Sequence, residues 1–315
     1  MHIKYIFAKK ITKIIFIMKR TTLLGLVLLG TALLTAQNIS VEKTYILDVQ
    51  SGFHPQFNAD GTMLAFSSDS YVGLNVYNFA DKSVVKVSEE AGTGFQPVFS
   101  KTSDKIFFKA IVYKEKLRHE EVKSYEFAPK KEMVLLKPQR NVKQPQPYEN
   151  GIVVNANNKL LKATVGATKT PVPDYVWSDG SNLYIYRNNK IQKLNPVDGA
   201  NGYIWASLSP DGKNILFTAA GSGTFVCDVD GKVVAKLGYL NAPTWYDNNF
   251  VVGMQDKDNG DFVTESKIVM KSINGKTEKV LSDPKQISMY PTASSVAKKV
   301  AYNTDKGEIY VVELK

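Results

Sequence analysis

Two histidines follow the first 36 residues, and their spacing bears on whether the chain is a hydrolase. Neither His54 nor His119 lies near a Gly-x-Ser-x-Gly elbow, a motif that the sequence does not contain. Acyl transfer by serine needs a histidine held against the nucleophile. His54 occupies a position that recurs at the start of a repeated strand, and His119 lies in a charged loop. Neither histidine therefore needs a catalytic role to explain it. We therefore expect no Ser-His catalysis.

An acidic loop with the sequence DKDNGD begins at Asp256 and is the one motif that suggests a metal. A calcium-binding EF-hand loop has glycine at position six and glutamate at position twelve. Counted from Asp256, Gly260 is fifth and Lys267 is twelfth. We interpret the segment as a polar hairpin loop and predict no metal. A site made by Asp256, Asp258 and Asp261 is the alternative.

Cys227 is the one cysteine of the chain, so no internal disulfide can form. It lies in the apolar run TFVCDV, where a small buried hydrophobic residue is expected. One cysteine and scattered histidines do not provide the ligands of a zinc site. The sequence predicts no cofactor.

A short phrase returns seven times and indicates the fold that must position any site. It consists of a proline or small residue, an aromatic or apolar residue two positions on, a turn, and an apolar run. The copies are HPQFNADGTMLAF from His54, QPVFSKTSDKIFF from Gln96, QPYENGIVV from Gln146, YVWSDGSNLYIY from Tyr175, SPDGKNILF from Ser209, APTWYDNNFVVG from Ala242 and YPTASSVAKKVAY from Tyr290. Repeats of this length, made of short strands and tight turns, indicate a propeller or a solenoid.

The spacing of the copies favours an all-β propeller of four-stranded blades. The aromatic or apolar anchors are Phe57, Phe99, Tyr148, Trp177, Leu208, Trp245 and Ala293. Seven blades are favoured, and six is the alternative if Tyr148 or Trp177 marks no blade. The charged residues 114–122 are interpreted as an enlarged loop of blade two. Residues 43–49 are predicted to pair with the last strand and close the ring, which leaves no open sheet edge.

The residue three positions before each anchor should begin an innermost strand, at one mouth of the central channel. These positions hold His54, Gln96, Pro145, Asp174, Trp205, Ala242 and Tyr290. We take His54, Gln96, Asp174, Trp205 and Tyr290 as the candidate binding residues, because they form hydrogen bonds or offer aromatic surface. The alternative is that these positions only pack one blade on the next.

The phrase SPDGKNILF, followed by a strand that ends in Asp and Gly, resembles the WD40-like β-propeller repeat of TolB-type periplasmic proteins. The family pattern is roughly Pro-x-Trp-Ser-Pro-Asp-Gly-Lys-x-Ile-x-Phe. Ser209–Phe217 matches it closely, His54–Phe66 well and Ala242–Gly253 partly. The resemblance covers nearly all of residues 41–315 and extends to the propeller part only, since we expect no α/β domain ahead of it. It implies a channel mouth that accepts a segment of a partner.

The first 36 residues are expected to be an export signal. Met18-Lys19-Arg20 supplies a basic start, Leu23–Leu34 an apolar core, and Thr35-Ala36-Gln37 a small-residue cleavage site. Met18 is an alternative start. The apolar run is shorter than the ~20 residues of a membrane span, so we expect no stable span after cleavage. Residues 37–315 are then a single propeller domain in the periplasm or outside the cell, and an uncleaved anchor is the alternative.

The net charge of +10 does not indicate a nucleic-acid partner. Six of the 40 basic residues lie in the first 36 positions, which leaves 34 against 30 acidic residues. There is no basic stripe with interleaved aromatic residues. We predict an exported, non-catalytic, monomeric scaffold that binds an envelope or surface protein or peptide. One alternative is a carbohydrate-active or hydrolytic propeller with carboxylates, Asp174 among them, at the channel mouth. Another is a sensor domain that acts with a membrane partner.

Overall fold

The computed structural model describes residues 39–164 and 170–315, and within that part it contains strands and no α-helix. The strands are β1 (Val41–Ile46), β2 (Phe53–Phe57), β3 (Met63–Ser67), β4 (Val72–Asn78), β5 (Val84–Ala91), β6 (Val98–Phe99), β7 (Lys105–Lys114), β8 (Leu117–Glu126), β9 (Lys131–Gln139), β10 (Gln146–Tyr148), β11 (Gly151–Ala156), β12 (Lys159–Ala163), β13 (Tyr175–Ser178), β14 (Leu183–Arg187), β15 (Lys190–Lys193), β16 (Tyr203–Leu208), β17 (Asn214–Ala219), β18 (Gly223–Asp228), β19 (Val233–Gly238), β20 (Asn241–Trp245), β21 (Phe250–Asp258), β22 (Val263–Ser272), β23 (Glu278–Val280), β24 (Ser288–Ser294), β25 (Lys299–Thr304) and β26 (Ile309–Leu314). Among these residues no helix has the length and apolar character of a membrane span. The predicted signal peptide, residues 1–36, lies outside the described residues.

The described strands form seven antiparallel sheets, which confirms the predicted seven-bladed propeller. Blades one and two are β2–β5 and β6–β9, blades three and four are β10–β12 and β13–β15, and blades five and six are β16–β19 and β20–β23. Blade seven is β24–β26 with β1 added at its outer edge. In the described residues five sheets have four strands, and blades three and four have three.

The segment after β15 explains the missing outer strand of blade four. Residues 194–202 contain Pro196, Gly199 and Gly202, which disfavour a ladder strand. Val197 and Ala200 of this segment pack against the core between blades four and five. The Tyr203 hydroxyl donates to the Val197 carbonyl at 3.0 Å. Residues 194–202 therefore connect blade four to blade five by running along the core between them, and they do not form a fourth strand.

The ring is closed as predicted, by a strand from near the start of the described chain. β1 pairs with β26, with Tyr45 opposite Val311 and Ile46 opposite Tyr310. The observed strand lies a few residues before the predicted 43–49. A cluster that includes Leu64 of blade one and Ile309 of blade seven buries the contact between first and last blades.

Successive side chains of an apolar run pack alternately against the blade on one side and the blade on the other. Almost every residue of these runs is buried for that reason. Ile215 and Phe217 face the core shared with blade four. Leu216, between them, packs with Trp245 and Val251 of blade six. A strand buried on both faces reads as a continuous apolar run and not as a strict alternation.

Charged residues 114–122 form a hairpin and not the expected loop. β7 and β8 pair continuously from Lys105↔Glu126 to Lys114↔Leu117. The two turn residues, Glu115 and Lys116, have φ values of 49° and 61°. Two consecutive positive φ values are typical of the tight turns that join hairpin strands. The loop interpretation was wrong because it rested on charge, and both strands project beyond the core into solvent.

Candidate binding site at the channel mouth

Five innermost strands carry the same backbone distortion near their start, at the second or third residue of the strand or, for Gln96, two residues before it. His54, Gln96, Trp205, Ala242 and Tyr290 all have φ between 43° and 54°. At four of these positions, the pairing register between the first and second strands of the blade shifts. Gln96 is the exception. A non-glycine residue in this region costs ~1–3 kcal/mol, and a bulge re-aims the side chain that it carries. The spacing that selected these residues thus coincides with a repeated bulge.

Buried polar side chains hold the bulged backbone in place between neighbouring blades. The Asn303 Oδ1 atom accepts the His54 backbone N–H at 3.0 Å, and Asn303 is only 1% exposed. The hydroxyl of Thr224, in blade five, donates to the Leu240 carbonyl at 2.6 Å, just before blade six. Ser266 of blade six donates to the Ser288 carbonyl of blade seven. Such partners are needed because a bulge removes backbone groups from the ladder.

Four of the five predicted residues surround one cavity of about 210 Å³. His54, Gln96, Trp205 and Tyr290 all line it. The sequence reasoning missed the other side chains that contribute rings, amides and hydroxyls to the wall, which are Gln56, Tyr71, Phe95, Gln144, Ser207 and Thr244. The predicted binding role of the four residues stays a prediction, but they do lie together.

An aromatic cluster forms one wall of the cavity. The His54 ring stacks on Tyr71 with centroids 3.9 Å apart and planes 18° apart. Tyr290 meets the same imidazole at 4.2 Å, and Phe95 meets Tyr71 edge-on at 5.0 Å. The side chain of Tyr290 also interacts electrostatically with Tyr71 and helps to raise the pKa of its hydroxyl. Tyr71 comes from the β3–β4 turn, and only the folded hairpin brings it over His54.

This aromatic wall is uncharged near neutral pH. Burial lowers the pKa of His54 to about 4, so the imidazole stays neutral. Burial is also the main reason that the pKa of Tyr71 rises to about 12, with a smaller contribution from Tyr290. The Ser207 hydroxyl is buried and has no hydrogen-bond partner in the described structure. The cavity therefore offers uncharged ring faces and amide groups.

Of the five candidate binding residues, Asp174 is the one that does not line this cavity. Its Oδ2 atom lies 3.3 Å from Nε of Arg187, in the same blade. The innermost strand of blade four pairs without a register shift, from Tyr175↔Tyr186 to Ser178↔Leu183. Without the bulge, the spacing rule does not turn this side chain towards the others.

The acidic loop of blade six is the hairpin turn that we expected. The Asp256 carboxylate accepts hydrogen bonds from Asn241 Nδ2 at 3.0 and 3.2 Å, and burial raises its pKa. The Asp258 carboxylate accepts the Gly260 N–H at 2.9 Å. In the described part of the chain, no three His, Cys, Asp or Glu side chains are grouped to hold a metal, and this includes the alternative set of Asp256, Asp258 and Asp261.

No family model matches the sequence, and no curated protein matches it either. The structure is similar to the β-propeller domain of Cps50 (Swd1) from Myceliophteria thermophila, with a TM-score of 0.59 and 12% identity over 85% of this chain and 98% of that one. It is also similar to TolB from Acinetobacter baumannii, with a TM-score of 0.46 and 12% identity over 84% of this chain and 55% of that one. An oligogalacturonate lyase in complex with manganese has a TM-score of 0.49 and 12% identity, over 85% and 78% of the two chains. With the seven sheets, the likeness to the Swd1 propeller confirms the predicted WD40-like propeller fold.

Proposed function

We propose that this chain is a non-catalytic binding scaffold whose channel mouth holds an extended segment of another protein. The observation that carries the proposal is the cavity itself, where four of the residues with left-handed backbone surround about 210 Å³ of space. Pockets for free small molecules usually measure ~300–1,000 Å³. A smaller cavity suits one or two side chains of a larger partner.

The composition of the wall supports a peptide occupant. Trp205 and Tyr290 combine ring faces with a polar tip, the kind of residue that dominates protein interfaces. Gln56, Gln96 and Gln144 can donate to and accept from a peptide backbone. With His54 and Tyr71 neutral, the wall is suited to an uncharged part of the partner.

The repeated bulge also favours a binding role over packing alone. Five non-glycine residues adopt the left-handed region at equivalent positions, at a cost of ~1–3 kcal/mol for each one. Strained backbone of this kind clusters at functional sites. If these residues served only to pack the blades, regular strands would do so without that cost.

The alternative of a carbohydrate-active or hydrolytic propeller requires two carboxylates that face each other at the mouth. Asp174, its main candidate, is instead paired with Arg187 outside the cavity. Export, a periplasmic or extracellular location, the monomeric state and an envelope or surface partner are parts of the proposal that come from the sequence. Within residues 39–164 and 170–315, no structural feature favours the sensor alternative.

Site-specific photocrosslinking tests the proposal. A photoreactive phenylalanine analogue replaces Trp205 in the mouth or, as a control, Ile191, which is 49% exposed on the outer strand of blade four. We expect intact cells to give a discrete crosslinked protein from position 205 and none from position 191. The same products from both positions, or none from 205, would count against a mouth-binding scaffold.

A further inference from the structure

A second cavity of about 510 Å³ lies beside the mouth, under the long hairpin of blade six. Phe262 and Val263 form its hairpin side, and Phe53, Ile287 and Met289 form its other walls. Tyr290 lines both this side cavity and the mouth cavity. The two cavities are thus neighbours along one surface, and the volume of the second lies within the range of ligand pockets.

The hairpin tip holds Phe262 in an unusual position. The Asn259 Oδ1 atom accepts the backbone N–H groups of Asp261 at 3.1 Å and Phe262 at 2.9 Å, which fixes the turn. Phe262 is nevertheless 75% exposed. Phenylalanine is among the residues most often buried, so an exposed ring on a hydrogen-bonded turn at a cavity edge indicates a contact surface.

The rim of the side cavity carries negative charge. Asp261 and Asp305 both line it, and neither belongs to an ion pair in the described part of the chain. Lys257 of the hairpin forms an ion pair with Glu265 at 2.7 Å and is not paired with either aspartate. Lys306 follows Asp305 in sequence but is not a lining residue among those described. An apolar floor with free carboxylates at its edge complements an apolar side chain that has a cation beside it.

We infer that the side cavity binds an apolar residue adjacent to a lysine or arginine in a partner segment. The apolar side chain packs against Phe262 and Met289, and the cation meets Asp261 and Asp305. The inference rests on the proposed function in one respect, because the shared Tyr290 lets one extended segment occupy both cavities. It adds the chemistry of the partner, which the neutral mouth does not define.

Selection of displayed peptides tests this chemistry directly. A phage library of random dodecapeptides is selected against the full chain, and the best peptide is measured by fluorescence anisotropy. We expect enrichment of Lys or Arg next to Leu, Ile, Met or Phe. Against the double variant Asp261→Asn/Asp305→Asn the best peptide should bind about fivefold more weakly or worse, as the loss of two exposed ion pairs implies. The double variant Asp198→Asn/Glu42→Gln changes the net charge equally on exposed residues away from the cavity and should bind normally.

Three further measurements separate the two proposals. Phe262→Ala should also weaken the peptide, and exchange of its basic residue for glutamine should remove the difference between wild type and Asp261→Asn/Asp305→Asn. Selected peptides without basic residues would overturn the side-cavity inference. So would equal affinity of the best peptide for Asp261→Asn/Asp305→Asn and for the control variant. Neither result would contradict binding at the mouth. Normal affinity in Trp205→Ala, together with a loss in Asp261→Asn/Asp305→Asn, would support the side cavity and contradict the mouth as the main site.

Discussion

Asn303 joins the last blade to the bulge of the first, and its replacement tests how the mouth is built. The side chain accepts the His54 N–H at 3.0 Å and donates to the Thr304 carbonyl at 3.0 Å, at 1% exposure. Asn303→Ala removes both bonds and leaves the His54 N–H without its partner. Each lost bond costs ~1 kcal/mol, and a buried donor left unpaired costs ~1–3 kcal/mol. We expect the free energy of unfolding to fall by about 2–4 kcal/mol, as these values imply.

Urea unfolding, followed by tryptophan fluorescence, measures this change from the midpoint and the slope. Asn249→Ala is the matched control, because Asn249 is exposed and its side chain holds no blade contact. The control should stay within about 0.5 kcal/mol of wild type, as is usual for surface substitutions. If Asn303→Ala unfolds at the same urea concentration as Asn249→Ala, buried polar side chains are not what holds the bulges.

Three other predictions concern charge, closure and the thiol. Since the folded pKa of His54, about 4, lies below its ordinary 6.5, the folded state favours neutral imidazole; stability is therefore full above pH 6.5 and declines as pH falls towards 4. Unfolding of His54→Gln at several pH values should lack that part of the decline, and an unchanged decline would show that other groups cause it. Ile309 is fully buried between the joined blades, so Ile309→Ala should lower the free energy of unfolding in urea by about 2–5 kcal/mol. Val72→Ala, at a 44% exposed position, should lower it little. Equal effects of the two changes would contradict a buried closure. Cys227 is fully buried, and burial raises its pKa to about 12. A thiol reagent should therefore react with Cys227 only after unfolding. Rapid reaction of the native protein would mean that the blade opens.

The propeller was predictable because its signals are local. The Pro210-Asp211-Gly212 turn needs only neighbouring atoms: Ser209 Oγ donates to Asp211 Oδ1 at 2.7 Å, and Gly212 adopts a φ of 70°. The run from Ile215 to Phe217 shows by its apolar character that the strand is covered on both faces. Repeats of such a unit stack so that each covers the next, and pairing of the first strand with the last blade closes the stack into a ring.

The mouth was only partly predictable, because the direction of a side chain there depends on strand pairing. Spacing placed Asp174 with the other candidates, yet blade four has no bulge and the carboxylate pairs with Arg187. Tyr71 lies in a turn that carries no sequence signal for the site, and the fold of the β3–β4 hairpin puts its ring on His54.

The sequence alone thus determined the repeating unit and the segment that closes the ring, and it favoured seven blades over six. The tertiary structure decided which side chains meet at the mouth and how the blade-six hairpin creates a second cavity beside it. Turns and strands form from contacts between near neighbours in the chain. Bulges, ring stacking and cavities instead depend on residues from several blades, whose relative positions exist only after the blades have packed.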